Sequence, residues 1–588
     1  MKKLSYLLLL ALTPVFANPA VNNGTTPMSS VATKTVTELA NDYATQYFTY
    51  FPELALFWGK TKVPQNKFSN HSYQNELNWQ ALQDQWLTEL SLIDETKLIN
   101  SSEHTTFQLL KESLENAKAT RICKETLWNV NPLRGWHIEL GVISSKQPLD
   151  TPQERKQALE RWATVPQLVK DEINNLKLGL TQGYTAPKPV VERVIKQLDL
   201  MIPSEIEASP FYAMADRAHD TAFRKKFSEI IKLKINPAIK EFRDFLESEY
   251  LPKARTEIGL SALPNGEACY LAKIKESTTL TIDPKAIYSF GENHMSALEK
   301  EIAQIGLSEF NTLDTSTIFQ KAIQSSHNYF QTEADILSYN TKALERARAK
   351  LPQWFHTLPK AACIVTPYPM HRAKTGAAGE YHPATEDGKS PAMFYINAYD
   401  PPNKSRVDQE ATLFHELLPG HHLQVALAQE EKSHHPVDSY LWNAGFGEGW
   451  ALYSERLANE MDLYNDNISK LGMLSNEALR TARLVVDPGI HVFGWTRQQA
   501  IDFMRKHTAL DRNVIEGEVD RYIMMPGQAT SYMLGKREID TLREYSKSIL
   551  KENFDIRDFH DQVLKHGAVT LPMLRANIMS WLETERKA

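Results

Sequence analysis

One apolar helical segment carries an unusual concentration of side chains that bind metals or transfer protons. Residues 412–428 read TLFHELLPGHHLQVALA and contain His415, Glu416, His421 and His422. Zinc hydrolases commonly carry the motif H-E-x-x-H on a helix, where the two histidines bind zinc and the glutamate activates a water molecule. Here Pro419 stands in the place of the second histidine. Because proline removes a backbone donor and its ring clashes with the preceding turn, we predict a helix that is kinked or bulged between its histidines.

The kink leaves two candidates for the second zinc ligand. On an ideal helix His422 returns to the face of His415, about 10 Å further along the axis, whereas His421 points elsewhere. A kink at Pro419 and Gly420 would allow either side chain to reach the metal. Histidines on a helix surface beside a proline kink, without any metal, are the alternative. Three histidines and a glutamate so close together favour the metal site, because histidine is the commonest metal ligand.

A second helical segment supplies carboxylates for the same site. Residues 445–455 read GFGEGWALYSE, so that Glu448 and Glu455 lie on one face of the predicted helix. A catalytic zinc site has three protein ligands and one open position. We therefore predict Glu448 as the third ligand and Glu455 as the acceptor for the other ring nitrogen of a ligating histidine. A solvated helix face would explain Glu455 equally well.

Two later segments contain candidates for the group that stabilises the oxyanion during hydrolysis. Residues 483–495 read RLVVDPGIHVFGW and contain His491, and residues 522–537 read YIMMPGQATSYMLGKR and contain Tyr532. The candidates are His491 in the first segment and Tyr522, Gln528, Tyr532, Lys536 and Arg537 in the second. Simple packing beside a turn is the alternative for each of them.

Apolar residues recur at helical spacing through most of the chain, which predicts a mostly α-helical fold. Over residues 36–202 they are three or four positions apart, with proline and glycine between the segments, as in a stack of antiparallel helices. Similar patterns occupy residues 223–251 and 286–305 and return after Val407.

Alternating patterns predict two small β-strand pairs. One lies within residues 266–282, and the other is formed by residues 363–366 and 393–397. An extended strand at 394–397, just before the histidine cluster, could pair with a peptide substrate, or it could belong to a purely structural hairpin.

Composition limits the function further. The chain is 42% hydrophobic and 23% charged with a net charge of -6, which are ordinary values for a folded soluble protein with a sizeable core. Without a basic stripe, nucleic-acid binding is not expected. Its three cysteines, Cys123, Cys269 and Cys363, permit at most one intramolecular disulfide. None has metal-ligand spacing, so we interpret them as small buried hydrophobes.

The N-terminus indicates export. Residues 1–17 carry two lysines, an apolar run and small residues at the expected cleavage position, which predicts a signal peptide. No later apolar stretch approaches the roughly 18 residues of a membrane span, so no stable membrane anchor is expected after cleavage. No cysteine stands at the cleavage point, which argues against a lipoprotein. A polar tail at 18–33 precedes the body at 34–588, and we expect a periplasmic or secreted protein.

Four motifs, in this order, resemble the bacterial domain-of-unknown-function 885 family, whose members are proposed zinc peptidases. They are HELLPGHHLQ, GFGEGWALYSE, RLVVDPGIHVFGWT and PGQATSYMLGK. Upstream segments such as FPELALFWG at 51–59 and ACYLAKIKESTTLT from 268 also look like that family. The resemblance therefore covers most of the mature chain.

A more distant similarity is to angiotensin-converting enzyme and the oligopeptidases related to it. These are mostly helical zinc enzymes with a deep cleft, and two histidines and one glutamate bind their metal. Their second ligand is followed by Ile-Gln, which is similar to residues 422–424, and their N-P-G-F-H-E resembles residues 443–448. The similarity implies that His422 and Glu448 are ligands. By order alone, it also implies that His491 and Tyr532 are the catalytic residues that stabilise the transition state. Dipeptidyl peptidase three has a similarly widened motif, HELLGH.

The sequence thus predicts an exported zinc metallopeptidase that cuts short peptides in a deep cleft between two helical lobes of one body. The zinc site is expected within residues 405–540. The predicted ligands are His415, His422 and Glu448, with His421 as the alternative second ligand, and Glu416 is the predicted general base. Lys536 and Arg537 could bind a substrate carboxylate or simply face solvent. The rival functions are a zinc amidase acting on cell-wall or modified peptides and a protein that binds peptides without cutting them.

Overall fold

The chain folds into a mostly helical structure, which confirms the predicted fold class. The computed structural model describes residues 34–58, 60, 62–99, 101–368, 373, 379–385, 390–431 and 435–587. The predicted signal peptide at 1–17 and the predicted tail at 18–33 lie outside the described residues.

The N-terminal part contains helices almost exclusively. In chain order they are α1 (Val36–Tyr50), α2 (Leu54–Phe57), α3 (Tyr73–Ser91), α4 (Ser102–Thr120), α5 (Trp136–Lys146), α6 (Pro152–Trp162), α7 (Val165–Gln182), α8 (Lys188–Met201), α9 (Tyr212–Arg217), α10 (Thr221–Ile230), α11 (Asn236–Phe245), α12 (Gly266–Thr278), α13 (Pro284–Phe310), α14 (Thr315–Gln324) and α15 (Glu333–Lys350). Capping boxes at Thr35, Thr151 and Thr332 open α1, α6 and α15, because side chains there satisfy the first backbone N–H groups of each helix.

A small sheet separates these helices from the C-terminal ones. Its strands are β1 (Cys363–Pro367), β2 (Gly379–His382) and β3 (Ala392–Ile396), in the order β1-β3-β2. The following helices are α16 (Gln409–Glu416), α17 (His421–Glu430), α18 (Ala444–Glu460), α19 (Asn467–His491), α20 (Arg497–His507), α21 (Arg512–Met524), α22 (Ser531–Leu550), α23 (Ile556–Leu564) and α24 (Leu571–Glu585).

The sheet confirms one of the two predicted strand pairs. β1 runs parallel to β3, with Cys363 opposite Ala392, and β2 runs antiparallel to β3, with Gly379 opposite Ile396. Because β3 is paired on both sides, the expectation that residues 394–397 form a free edge for a substrate is wrong.

The other predicted strand pair, within residues 266–282, is wrong. Residues 266–278 form α12, whose buried side chains Cys269, Tyr270 and Ile274 occupy one helical face. The alternating pattern that suggested a strand covers only the last residue of the helix, its left-handed C-cap Thr279 and the loop that follows.

Two of the three cysteines are bonded to each other. Cys123 and Cys269 form a disulfide that ties the end of the α4 region to α12, whereas Cys363 is a buried free thiol. The interpretation of all three as small buried hydrophobes is therefore correct for Cys363 alone.

Buried apolar side chains place the histidine motif inside a packed core. One cluster includes Leu413 and Phe414 from α16 together with Trp450 from α18. A second cluster packs α5 to α11 against each other, and a third joins α12 to α19, α20, α21 and α22. Within the part of the chain that the structure describes, every helix is too short or too polar to cross a bilayer. The division of the body into two lobes stays a prediction.

Candidate metal centre

The HELLPGHH segment is two helices joined by a tight turn, as predicted from its proline. α16 ends at Glu416, α17 begins at His421, and the Leu418–Pro419 peptide bond between them is cis. The turn passes so close to the end of α16 that a Cβ atom on Gly420 would lie 1.9 Å from the carbonyl oxygen of His415. Only glycine fits there, because the backbone carbonyl group is held in the helix and cannot move away from an added Cβ atom.

Helix α18 holds this turn in place. The indole Nε1 of Trp450 donates a hydrogen bond of 3.0 Å to the carbonyl oxygen of Pro419, and the hydroxyl of Ser454 donates another of 3.2 Å to the same oxygen. At the start of α18 the side chain of Asn443 caps the helix by accepting from the N–H of Phe446. These contacts fix the two histidine-bearing helices against the helix that carries Glu448.

Three side chains converge at this junction. The Nε2 atoms of His415 and of His421 each lie 3.5 Å from the same carboxylate oxygen of Glu448. Two ligands of a tetrahedral zinc ion, each at about 2.05 Å from it, are about 3.3 Å apart. Among the described residues these three offer ligand atoms that all lie within 4.8 Å of one another. The donor set of two imidazoles and one carboxylate therefore fits zinc both in chemistry and in spacing.

The preferred ligand His422 does not belong to this group, which contains the alternative, His421, instead. Its Nε2 lies 3.0 Å from the carbonyl oxygen of Ala361, which can only accept, and its Nδ1 lies 3.2 Å from the hydroxyl of Tyr381. Both ring nitrogens are thus engaged elsewhere. The geometry favours His421, because the non-helical turn resets the direction of α17 and the helical spacing from His415 no longer applies.

Glu455 occupies the position predicted for the acceptor behind a ligand, rather than a solvated face. Its carboxylate is 1% exposed and lies 2.8 Å from Nδ1 of His415, which directs Nε2 of that ring toward Glu448. Burial alone would lower the pKa of His415, but hydrogen bonds to Glu448 and Glu455 outweigh it and raise the pKa to about 9. The carboxylates therefore create a buried pocket that favours a positive charge.

The charges of His415 and His421 act in turn on the carboxylate of Glu448. Burial would raise the pKa of Glu448, but the two histidines beside it hold the pKa well below its usual range. Nδ1 of His421 is buried and has no hydrogen-bond partner within the described chain.

The predicted base lies one residue after the first ligand. Glu416 is the last residue of α16 and is partly buried. Its negative charge contributes, after burial and Cys363, to raising the pKa of Tyr381. No hydrogen bond engages the Glu416 carboxylate within the residues described, so it is available to a substrate or to water.

The predicted oxyanion donor Tyr532 is brought toward Glu448 by a close helix crossing. A Cβ atom on Gly449 of α18 would lie 2.5 Å from the Cα atom of Gly535 of α22, and one on Gly535 would lie 1.8 Å from the carbonyl oxygen of Gly445. Small residues are thus required on both helices. Burial raises the pKa of Tyr532, and the charge of Glu448 raises it further, so its hydroxyl stays protonated.

Two arginines that sequence reasoning missed flank the Tyr532 ring. The guanidinium of Arg483 lies 4.6 Å from the ring centroid and that of Arg480 lies 5.8 Å from it. Arg480 also lies 4.0 Å from the carboxylate of Glu455. Both belong to α19, and the signal that could have revealed them is a pair of arginines within a largely apolar helix.

The other predicted donor, His491, makes its hydrogen bonds with residues outside the group of candidate ligands. Its Nδ1 accepts a hydrogen bond of 3.1 Å from the N–H of Leu260, so its Nε2 carries the proton that is donated at 3.0 Å to the carbonyl oxygen of Tyr522. The residue is fully buried, and burial lowers its pKa to about 3. His491 is therefore a neutral core residue that joins three chain segments.

The cations at the start of α22 also differ in environment. Lys536 is buried and donates to Asp540 at 2.6 Å, with Glu477 3.7 Å away, so it is not a substrate clamp. Arg537 is exposed and lies over the ring of Phe290 at 4.5 Å. A second group with metal-ligand spacing, His356, Asp555 and Asp558, is exposed or half-exposed at the surface.

Two solved structures have the same fold. A candidate lipoprotein from Colwellia psychrerythraea aligns with a TM-score of 0.84 at 24% sequence identity, covering 93% of this chain and 99% of that chain. A candidate lipoprotein of unknown function from Shewanella oneidensis aligns with a TM-score of 0.77 at 20% identity, covering 93% of this chain and 100% of that chain. At these identities the similarity concerns the fold alone.

At the level of sequence, the family model described as "Bacterial protein of unknown function (DUF885)" matches residues 52–578. No curated protein matches the chain.

Proposed function

The chain belongs to DUF885, a family of bacterial proteins of unknown function, and from its buried His-His-Glu group we propose that it is a zinc-dependent peptidase. The observation that carries this proposal is the convergence of His415, His421 and Glu448, in which each histidine Nε2 lies 3.5 Å from one Glu448 oxygen, close to the separation of two ligands of a tetrahedral zinc ion. Glu455 behind His415 supplies the outer support that ligating histidines usually have.

Glu416 is the general base in this proposal. Bound zinc would polarise the scissile carbonyl group and lower the pKa of the attacking water. Glu416 directly follows the ligand His415 and accepts the proton from that water. It then passes the proton to the amine that leaves when the peptide bond breaks. A glutamate in this position has no evident use in a protein that only binds peptides.

Tyr532 stabilises the oxyanion. Because burial and Glu448 keep its hydroxyl protonated, Tyr532 is a hydrogen-bond donor at neutral pH. Arg480 and Arg483 lie against its ring and add positive charge beside it. The close contact of Gly449 with Gly535 fixes the distance between this helix and the ligand-bearing one.

The proposed compartment is the periplasm or the extracellular space, and the proposed substrates are short peptides. The disulfide between Cys123 and Cys269 supports export, because disulfides persist in oxidising compartments.

The test combines metal content with activity. We expect purified protein to hold zinc, His421→Ala to lose it, and the matched variant His422→Ala to keep most of it. Glu416→Gln should retain zinc and lose hydrolysis of a panel of short peptides. Cleavage at the parental rate by Glu416→Gln would refute its role as base, and absence of zinc from the parent at neutral pH would favour a binding protein. Cleavage of muropeptides but not of plain peptides would identify an amidase instead.

A further inference from the structure

A large cavity lies beside the N-terminal helix, and none of its lining residues has been assigned a role so far. It has a volume of about 980 Å³ and is bounded by α1, by Lys60, by residues 62–67 and by residues 435–440. Much of its wall is apolar, with Phe48, Val63 and Tyr440 among the lining side chains. Cavities of this size and character typically bind small organic ligands or parts of peptides.

The charged side chains that line the cavity are lysines, and the other polar ones include neutral asparagines and threonines. Lys60, Lys62 and Lys67 line it, and among its described lining residues none is aspartate or glutamate. Lys60 lies over the ring of Tyr440, with its ammonium group 5.3 Å from the ring centroid. Lys62 and Lys67 are exposed at the rim, and neither forms an ion pair with a described carboxylate. An apolar wall with two available ammonium groups suits a ligand that has an apolar body and a carboxylate.

One wall of the cavity leads directly to the candidate metal centre. Residues 435–443 run from the cavity into α18, the helix that carries Glu448. The ring of Trp442, which follows shortly after the lining residue Tyr440, lies 6.4 Å from the ring of His421. Val437 in the same wall is fully buried, so the segment is packed against the rest of the protein. A ligand in the cavity is therefore next to the segment that contacts His421 and leads into the helix of Glu448.

We propose that this cavity binds the carboxyl-terminal part of a short peptide. The terminal carboxylate pairs with Lys62 and Lys67 at the rim, and an apolar terminal side chain packs against Phe48 and Tyr440. This inference rests on the proposed peptidase function and narrows it to substrates with a free carboxyl terminus. A small inorganic anion would leave the apolar wall uncovered. A medium-chain fatty acid also has an apolar body and a carboxylate, so an experiment must distinguish it from a peptide terminus.

The binding test uses full-length Glu416→Gln protein, in which the peptide is not consumed. Two fluorescent pentapeptides that end in phenylalanine, one with a free carboxyl terminus and one amidated, are titrated by anisotropy. We expect the acid to bind about tenfold more tightly than the amide, because only the acid forms the charged hydrogen bonds. Adding Lys62→Ala and Lys67→Ala should remove that preference and leave binding of the amide unchanged.

A matched control separates local from general charge effects. Lys232 and Lys234 are exposed lysines on a π-helical turn far along the chain, and Lys232→Ala with Lys234→Ala should leave the preference intact. Equal binding of acid and amide, no measurable binding of the acid, or a preference that survives loss of Lys62 and Lys67 would overturn the proposal. Displacement of the peptide acid by decanoate at lower concentrations than by unlabelled peptide acid would assign the cavity to fatty acids and overturn it as well.

The two proposals fail in different ways. If the parent protein holds no zinc and cuts no peptide, yet the lysine-dependent preference for the acid is present, the peptidase function is refuted and the cavity is not. If the parent cuts acid and amide peptides with the same KM and the binding preference is absent, the cavity assignment is refuted while the peptidase function stands.

Discussion

The contact between Glu455 and His415 gives the sharpest quantitative prediction. Replacing Glu455 by glutamine keeps the size of the side chain and one acceptor oxygen, but removes the negative charge that lies 2.8 Å from Nδ1 of His415. Because both residues are almost fully buried, water cannot replace that charge. The imidazole becomes a weaker donor to a metal and is less firmly oriented toward Glu448.

We expect Glu455→Gln to weaken zinc binding about 10- to 100-fold, the usual effect of losing such an outer partner, which corresponds to about 1.4–2.7 kcal/mol. Competition with a chromophoric zinc chelator measures this directly. Glu460→Gln is the matched control, because Glu460 lies on the same helix, is 42% exposed and pairs with Arg543 instead. Its zinc affinity should stay within about twofold of the parent.

An unchanged zinc affinity in Glu455→Gln would refute the reasoning. The variant His415→Ala then identifies the fault. If it also binds zinc normally, the metal site itself is misassigned, and if it does not, Glu455 gives no support to a genuine ligand.

Three further predictions concern the surroundings of the centre. Gly449→Ala forces a methyl group against Gly535 and should lower the free energy of unfolding by about 1–3 kcal/mol in chemical denaturation, together with kcat. Tyr532→Phe should retain zinc but lower kcat about 100- to 1000-fold, measured at saturating peptide. Burial raises the pKa of Asp487 to about 7, so the folded protein holds this proton more tightly than the unfolded chain does. The stabilisation that the proton provides is complete below the unfolded pKa and is lost as the pH rises through 7. The change that Asp487→Asn causes in the free energy of unfolding should therefore be more favourable at pH 8 than at pH 5 by at least about 1 kcal/mol, measured by urea unfolding.

Each of these predictions has a contradicting outcome. Gly517→Ala, where an added Cβ has no neighbour within 4 Å, is the control for Gly449→Ala, and equal stability of the two variants would contradict the close crossing. A Tyr532→Phe variant with parental kcat would remove the tyrosine from the reaction. For Asp487→Asn, an effect on unfolding that does not change with pH would mean that this carboxyl group is not the titrating one.

Local patterns in the sequence determined the helices and the chemistry they carry. The spacing of apolar residues predicts most helical segments, because a helix buries one face and its hydrogen bonds are made within the segment. Pro419 predicts the interruption of the histidine helix, since its effect is confined to the preceding turn. Glu448 and Glu455 lie on one face of α18, as their seven-residue separation implies. The local pattern within residues 266–282 led to the wrong prediction of a strand pair, because a few alternating residues after a helix resemble a strand.

Only the tertiary structure decided how these segments face one another. After the turn at Pro419 the direction of α17 depends on hydrogen bonds from Trp450 and Ser454 of another helix, and His421 rather than His422 lies beside His415 and Glu448. The role of His491 and the pairing of two cysteines likewise depend on segments that are distant in the sequence. Periodicity fixes which side chains share a helical face, but the contacts between helices set the distance and orientation of groups across a site.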